Sequence, residues 1–387
     1  MSKLAYFGGK PVREKTIAPA YPLFSRKELR YISEVLRSHQ IAEGKFTKKL
    51  EESFADFIGT KYCVAVSSGT AALHLSLLSL GIQKGDEVIT TPYTFIATSN
   101  ACLYVGAKPV FVDIDPKTFN IDPEKIEEKI TEKTKAIIPV HIWGHPCEME
   151  KILRIAKDNK LFVVEDASHA HGAEYNGKKV GAIGNVNCFS LYATKIITSA
   201  EGGLATTDDE AVASKIRMLK RFAEIGKYAH KEIGYNYRMS DVHAAIGLAQ
   251  LEKIDEFIKK REENATYLTK LLTEFDEYIE LPTIKDNVKH AFYYYAILLK
   301  RNLLEKVSRD MFDKILRAEN ITPTSYYPKP LHLQEAYKFL GYKNSDFPVA
   351  EDVCNRSITL PIHPALNRKD MVDIYTAIKK IIKHFEN

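Results

Sequence analysis

Between about residue 60 and residue 225, short apolar runs alternate with longer helix-like segments. The apolar runs cover residues 87–91, 109–113, 136–142 and 161–164, and helical patterns cover 70–80 and 94–104. Short buried strands separated by helices of ten or more residues are typical of βα units, whose strands pair in parallel. The alternation predicts an α/β fold with a large, mostly parallel sheet. Ligands of such sheets bind beyond the carboxyl ends of the strands.

The pattern changes after residue 250. We expect a long charged helix over 251–272, an aromatic strand over 291–299 and an irregular, proline-rich segment over 322–333. A chain of 387 residues is long enough for two domains. We predict a large domain over residues 1–256, with an N-terminal arm, and a smaller C-terminal α+β domain over residues 257–387.

Composition excludes several classes of protein. The chain is 45% hydrophobic and 27% charged, and its net charge of +5 is not concentrated in any basic block that would indicate nucleic-acid binding. The first residues lack the apolar core of a signal peptide, and no apolar stretch is long enough to cross a bilayer. The five cysteines are scattered without CxxC spacing, which indicates neither a disulfide framework nor a zinc site. We expect a cytoplasmic protein that binds neither nucleic acid nor membrane.

Two residues carry the strongest chemical signal. Asp166 ends the apolar run that begins at Leu161, and a carboxylate in a buried strand is costly without a partner. Lys195 follows in a polar segment, shortly before Glu201. Pyridoxal phosphate (PLP) needs an amine to form a Schiff base and an acid to keep its ring nitrogen protonated. If both side chains reach one ring, the chain is a PLP enzyme; otherwise Asp166 binds backbone N–H groups and Lys195 is a surface lysine.

Other segments can complete such a site. Residues 68–72 precede an apolar helix whose first N–H groups can hold a phosphate, although the same motif also serves as an ordinary helix cap. Phe95 can stack on a flat ring or lie in the core. His169 and His171 follow Asp166, but a metal site there would lack a third ligand at helical spacing, so we expect no metal.

These motifs, in this order, resemble those of the DegT/DnrJ-type nucleotide-sugar aminotransferases, which are PLP enzymes with the aspartate aminotransferase fold (fold type I). The resemblance runs from about Tyr21 to the C-terminus. The matching segments are 57–62, 68–74, 85–89, 165–172, 189–195, 201–203, 234–241 and 327–334. The resemblance implies a PLP-binding large domain, a smaller C-terminal domain and transaminase activity.

The resemblance also implies roles for single residues around the cofactor. Lys195 would carry PLP as a Schiff base, and Asp166 would pair with the ring nitrogen. Phe95 would stack on the ring, and His169 would lie near its phenolic oxygen.

The cofactor's phosphate would be held by two groups of residues. Those of the same subunit are implied to be Gly69, Thr70, Ala71 and Ser190. Asn236 is implied to reach the phosphate of the neighbouring subunit, which would make the protein a homodimer with shared active sites.

The implied reaction moves an amino group from glutamate to a nucleotide-linked keto sugar, for amino-sugar and polysaccharide biosynthesis. The segment 325–332 resembles that of members that aminate a 3-keto sugar, which favours a UDP- or dTDP-linked 3-keto-hexose. Amination at C4 of a 4-keto-6-deoxy sugar stays open, as does a cyclitol substrate, because residues 7–13 also occur in relatives acting on cyclitols. The candidate substrate-binding residues are Arg238, Tyr326, Tyr327 and His332.

Three positions depart from the family pattern: Ile196 stands where Asn is usual, Ala200 where Gly is usual and His243 where Gln is frequent. None removes a group that transamination requires. Relatives without the Schiff-base lysine dehydrate sugars, and Lys195 argues against that activity. A DNA-binding regulator, a label once attached to some members, would need a basic recognition helix, whereas the charges in 251–272 are balanced in sign.

Overall fold

The structure, a computed structural model, describes residues 3–386, which form fifteen strands and twelve α-helices. The strands are β1 (Tyr62–Val66), β2 (Glu87–Thr90), β3 (Lys108–Phe111), β4 (Thr134–Ile137), β5 (Phe162–Asp166), β6 (Glu174–Tyr175), β7 (Lys178–Lys179), β8 (Val186–Ser190), β9 (Gly203–Thr207), β10 (Glu224–Gly226), β11 (Ala229–His230), β12 (Ile279–Glu280), β13 (Val288–Lys289), β14 (Tyr295–Leu299) and β15 (Ser357–Leu360). The helices are α1 (Arg26–Ser38), α2 (Lys45–Ile58), α3 (Gly69–Ser79), α4 (Ala97–Tyr104), α5 (Met149–Asp158), α6 (Glu210–Leu219), α7 (Asp241–Leu251), α8 (Ile254–Leu272), α9 (Arg301–Leu304), α10 (Arg309–Ala318), α11 (Pro348–Arg356) and α12 (Arg368–Glu386).

Seven strands form the main sheet, in the order β1-β9-β8-β5-β4-β2-β3. Strands β8, β5, β4, β2 and β3 pair in parallel, whereas β9 runs antiparallel to both β8 and β1. Pro109 lies in β3, an edge strand, where a residue without an N–H is tolerated. The predicted α/β class with a mostly parallel sheet is confirmed.

Helix α3 is the element that brings a helix start to the edge of this sheet. It is apolar all round, and residues 71–77 are all buried, as expected of a helix enclosed on every side. The hydroxyl of Ser68 caps its first turn by accepting a hydrogen bond from the Ala71 N–H at 3.1 Å. This cap fixes the helix start directly after β1.

A second, three-stranded antiparallel sheet has the order β12-β14-β15 and belongs to a separate buried cluster. Helix α8 joins the two cores: Phe257 and Ile258 pack in the first, and Leu268 and Leu272 in the second. Leu4 from the N-terminal arm also packs in the second core. The division of the chain at residue 256 stays a prediction.

Two elements predicted beyond residue 250 differ from the structure. The single helix expected over 251–272 is wrong, because the backbone leaves the helical region at Lys253 (φ −115°, ψ 3°), whose ammonium pairs with buried Glu28. The aromatic strand expected over 291–299 begins only at Tyr295. Phe292 has a φ of +47°, and the Tyr293 N–H instead bonds the Trp143 carbonyl at 2.9 Å. This departure turns the preceding tyrosines towards the loops of the main sheet.

All five cysteines are unpaired and buried. Among residues 3–386, no helix is both long and apolar enough to span a bilayer.

Candidate active site

A cavity of about 320 Å³ opens at the carboxyl ends of the main-sheet strands. Its walls come from the segments that follow β1, β2, β4, β5 and β8, and from two segments of the C-terminal part of the chain. The sequence-predicted residues that line it are Gly69, Thr70, Phe95, Asp166, His169, Ser190, Lys195, Tyr326 and Tyr327. The strand ends therefore bring together most of the residues that the sequence singles out.

Asp166 closes β5 with its carboxylate on the cavity and only 5% of its surface exposed. Its Oδ2 accepts a hydrogen bond from Thr98 Oγ1 at 2.8 Å, and its Oδ1 accepts one from the Ser168 N–H at 3.2 Å. A buried carboxylate with two donors still has free lone pairs for a further donor in the cavity.

The neighbouring carboxylate, Glu165, has a different environment. It accepts hydrogen bonds from the N–H groups of Gly181, Ile183 and Gly184 and lies 2.9 Å from His141 Nε2. Full burial acts to raise the pKa of Glu165, but the hydrogen bond with His141 and those from the backbone N–H groups hold that pKa below its ordinary value. The cluster of backbone N–H groups considered for Asp166 is thus found at Glu165.

Lys195 lies in the loop after β8, with its N–H bonded to the Tyr192 carbonyl at 2.9 Å. Burial lowers the pKa of its amine to about 8, and the Asp166 charge opposes this shift. Near neutral pH the unprotonated amine is therefore far more populated than in an ordinary lysine, which favours a nucleophilic or proton-transferring role.

The start of α3 forms a narrow cradle beside β8. A Cβ placed on Gly69 would lie 2.9 Å from Ser190 Cβ, so only glycine fits there. The N–H groups of Gly69 and Thr70 belong to the first helical turn, which has no intrahelical acceptors. The Ala71 N–H is already bonded to Ser68, and Ala71 does not line the cavity.

One cavity wall is a stack of four rings from distant parts of the chain. His169 lies between Tyr293 and Trp143, with ring centroids 4.6 Å and 5.4 Å away, and Trp143 stacks in turn on Tyr327 at 5.5 Å. Burial holds the pKa of His169 well below its ordinary value, so the ring is neutral, and His169 Nδ1 has no partner among residues 3–386. Phe95 lines the cavity with 58% of its surface exposed.

Three predicted site residues lie outside the cavity, in addition to Ala71. His332 is buried, with its Nε2 3.0 Å from Glu351. Asn236 and Arg238 lie near the surface, where Arg238 donates to the Asn236 side chain at 3.2 Å. A single subunit therefore does not bring these three residues to Lys195.

The departures from the family pattern have different surroundings. Ile196 is buried in the core, and His243 Nδ1 lies 3.0 Å from the hydroxyl of Ser240. Ala200 has a φ of +67°, a left-handed conformation that explains why glycine suits this position.

Several lining residues were missed by sequence reasoning, namely Thr94, Thr98, Trp143, Tyr293 and Tyr294. The four-residue spacing of Thr94 and Thr98 after β2 is a signal that both hydroxyls lie on one side of a helical turn. The sequence pattern places the two tyrosines in a strand, and Trp143 lies in a turn with a φ of +55° that periodicity does not detect.

The donor set fits PLP. It offers a half-buried amine, a buried carboxylate with unused lone pairs, a glycine-lined helix start and a neutral imidazole with an unpartnered nitrogen. Lys195, Asp166, the start of α3 and His169 are the groups that would hold the Schiff-base carbon, the ring nitrogen, the phosphate and the phenolic oxygen, respectively. Among the described residues, no group of three or more His, Cys, Asp or Glu side chains could hold a metal ion.

Comparison with known proteins gives a consistent result. The model of the DegT/DnrJ/EryC1/StrS aminotransferase family matches residues 23–379. GDP-perosamine synthase of Caulobacter vibrioides is 38% identical over 369 residues, covering 95% of this chain and 98% of that protein. The UDP-N-acetyl-3-dehydro-alpha-D-glucosamine 3-aminotransferase of Acidithiobacillus ferrooxidans is 35% identical over 352 residues, with 91% and 92% covered. Spr1654 of Streptococcus pneumoniae, solved in a PLP form, has a TM-score of 0.90 at 29% identity, with 96% of this chain and 99% of that chain covered.

Proposed function

The chain belongs to the DegT/DnrJ/EryC1/StrS aminotransferase family and is a PLP-dependent transaminase, and on this premise we propose that it transfers the amino group of glutamate to a nucleotide-linked keto sugar. The favoured acceptor is a UDP- or dTDP-linked 3-keto-hexose, which would become a 3-amino sugar. The observation that carries the proposal is that the Lys195 amine and the Asp166 carboxylate open onto one cavity.

The cofactor supplies the reactive groups, and the protein side chains control their protonation. When bound, PLP supplies an aldehyde that condenses with amines and a ring that takes up the charge left when a proton leaves the adjoining carbon. Asp166 keeps a positive charge favourable at the ring nitrogen, because its carboxylate is buried and has lone pairs to spare. His169 is neutral and can donate or accept a single hydrogen bond beside the ring.

Lys195 is the group that takes up and returns the proton of that adjoining carbon. Its lowered pKa of about 8 makes the free amine available as a base near neutral pH and, once protonated, as an acid of similar strength. The stacked rings of Tyr293, His169, Trp143 and Tyr327 cover one wall of the cavity and keep water from that side.

Tyr326 and Tyr327 are the proposed contacts for the sugar. Both line the cavity, and the Tyr326 hydroxyl lies 3.4 Å from that of Tyr294, so two phenol groups are near each other in the cavity wall. The relative from Acidithiobacillus ferrooxidans is named as a 3-aminotransferase, which supports amination at C3 here. His332 is better suited to supporting the loop through Glu351 than to contacting sugar.

The proposal includes a homodimer in which Asn236 and Arg238 reach the partner's cavity. In support, both side chains lie outside the cavity of their own subunit. The neighbouring β10–β11 hairpin exposes Ile225 and Tyr228, and Ile233 is exposed shortly after it. Exposed apolar side chains clustered in this way are typical of protein interfaces. Five unpaired, buried cysteines fit the proposed cytoplasmic location, where thiols stay reduced.

Two experiments test the proposal. Borohydride reduction of the PLP-loaded protein followed by peptide mapping should place the label on Lys195, and a label on another residue would exclude the assigned roles. The protein should then be loaded with pyridoxamine phosphate and offered 3-keto and 4-keto nucleotide sugars and a keto-cyclitol, with the return of PLP absorbance as the signal. Lys195→Ala is the control that should not turn over. Turnover of only the 4-keto sugars or only the cyclitol would replace the C3 assignment.

A further inference from the structure

We propose that Thr98 and Thr94 are positioning residues: their hydrogen bonds hold the Asp166 carboxylate as an acceptor and thereby keep the proton that it would share with bound PLP on the ring nitrogen of the cofactor. This inference rests on the proposed role of Asp166. It concerns two cavity-lining hydroxyl groups to which neither the sequence motifs nor the proposed function assign a role.

The three side chains form a continuous chain in the cavity wall. Thr98 Oγ1 lies 2.8 Å from Asp166 Oδ2, and Thr94 Oγ1 lies 3.1 Å from Thr98 Oγ1. All three residues line the cavity, and both threonines are about 1% exposed. The arrangement depends on local sequence, because Thr94 precedes α4 by three residues and Thr98 lies in its first turn.

The direction of the hydrogen bonds follows from the number of protons. An ionised carboxylate can only accept, so the single hydroxyl proton of Thr98 must be donated to Asp166. Thr98 Oγ1 is then an acceptor towards Thr94, and the Thr94 hydroxyl must donate to it. Each threonine thus has one fixed orientation, and this chain of donors ends on the Asp166 carboxylate.

These hydrogen bonds should determine where the proton between Asp166 and the cofactor's ring nitrogen lies. A carboxylate facing a ring nitrogen can form a charged pair, with the proton on nitrogen, or a neutral pair, with the proton on oxygen. A donor to the carboxylate favours the charged pair, and losing one hydrogen bond to a charged group changes such a ratio by about tenfold or more. Removing the Thr98 hydroxyl should therefore move the proton towards Asp166.

The test is solid-state ¹⁵N NMR of the holoenzyme loaded with PLP labelled at the ring nitrogen. In the unchanged protein and in Thr98→Ser the resonance should be that of a protonated ring. In Thr98→Val the resonance should move towards the unprotonated position, because the ratio of protonated to unprotonated ring nitrogen should fall about tenfold. Thr98→Cys, with its weak thiol donor, should lie between Ser and Val. Thr94→Val is the matched control: it removes a buried hydroxyl that does not touch Asp166, so its shift should be smaller.

The possible outcomes distinguish the role of Asp166 from that of the two threonines. Asp166→Asn should give the unprotonated resonance, and a protonated resonance in that variant would remove the role of Asp166 itself. A shift in Asp166→Asn without any shift in Thr98→Val and Thr98→Cys would overturn the inference about the threonines alone. A lowered melting temperature in Thr98→Val without a moved resonance would likewise overturn it, because it would show a purely structural role.

Discussion

The Lys195 Nζ atom lies 4.8 Å from the ring centroid of Tyr293, and the Tyr293 hydroxyl lies 2.9 Å from the side chain of Thr194, the residue before the lysine. Tyr293 belongs to the segment that precedes β14, whereas Lys195 follows β8 of the main sheet. The ring thus both faces the amine and fastens its loop to the C-terminal part of the chain.

Tyr293 should help to set the pKa of Lys195. The negative face of an aromatic ring favours an ammonium by roughly 0.5–2 kcal/mol, so Tyr293→Leu should lower the lysine pKa from about 8 by about one unit. Tyr293→Phe keeps the ring and should leave it nearly unchanged. In the PLP-free protein, the rate at which an amine reagent labels Lys195 rises with pH as the amine loses its proton. The midpoint of that rise should move to lower pH only in the Leu variant, and equal midpoints in both variants would contradict this role.

Asp166→Asn should slow transamination strongly. The amide keeps the shape of the carboxylate but removes the negative charge, and losing one preorganised electrostatic contact to a developing charge costs about a hundredfold or more. Stopped-flow absorbance of the glutamate half-reaction measures the effect. Glu165→Gln is the control for a general loss of folding, because Glu165 is equally buried but bonded within the protein. Near-normal rates in Asp166→Asn would show that this carboxylate is structural.

Shared active sites should be detectable by subunit mixing. Lys195→Ala and Asn236→Ala homodimers should both be inactive or weak, but a mixed dimer contains one site with both defects and one with neither. Activity should therefore return to about half of the unchanged value in verified heterodimers. If such heterodimers stay inactive, both residues act within one subunit's site.

Ala200→Gly should stabilise the protein. Ala200 has a φ of +67°, which is costly for any residue with a Cβ, so glycine should raise the free energy of unfolding by up to about 1 kcal/mol. Ala193→Gly, in the same loop but with an ordinary φ, should instead lower that free energy by about 0.4–1 kcal/mol. Denaturant unfolding of the two variants checks the sign, and a loss of stability in both would show that Ala200 is not strained.

The sequence predicts the parts of the site that depend on local pattern. Asp166 could be placed at the carboxyl edge of the sheet because it ends a recognisable strand, and Gly69 at a helix start because it precedes an apolar helix. The place of Lys195 beside them is implied by the family resemblance. The alternation of strands and helices predicts the α/β class, the ordered motifs predict the family and PLP, and all three predictions are confirmed.

The rest of the site depends on contacts between distant segments. The hydrogen bond from Thr98 to Asp166 joins residues 68 positions apart, and Thr194 and Tyr293 are 99 positions apart. Neither pairing has a local pattern that predicts it. His332 is a further example. The composition of its loop predicts a polar contact with the ligand, but in the structure the side chain packs against Phe347 and bonds Glu351 inside the protein.

The ring stack in the cavity wall also gives the enzyme an intrinsic fluorescent reporter of this cavity. Trp143 is the chain's single tryptophan, and it stacks directly on His169 and Tyr327. Indole fluorescence of the intact protein therefore originates in the wall of this cavity and nowhere else in the chain. Emission intensity and colour report filling of the cavity without any attached dye.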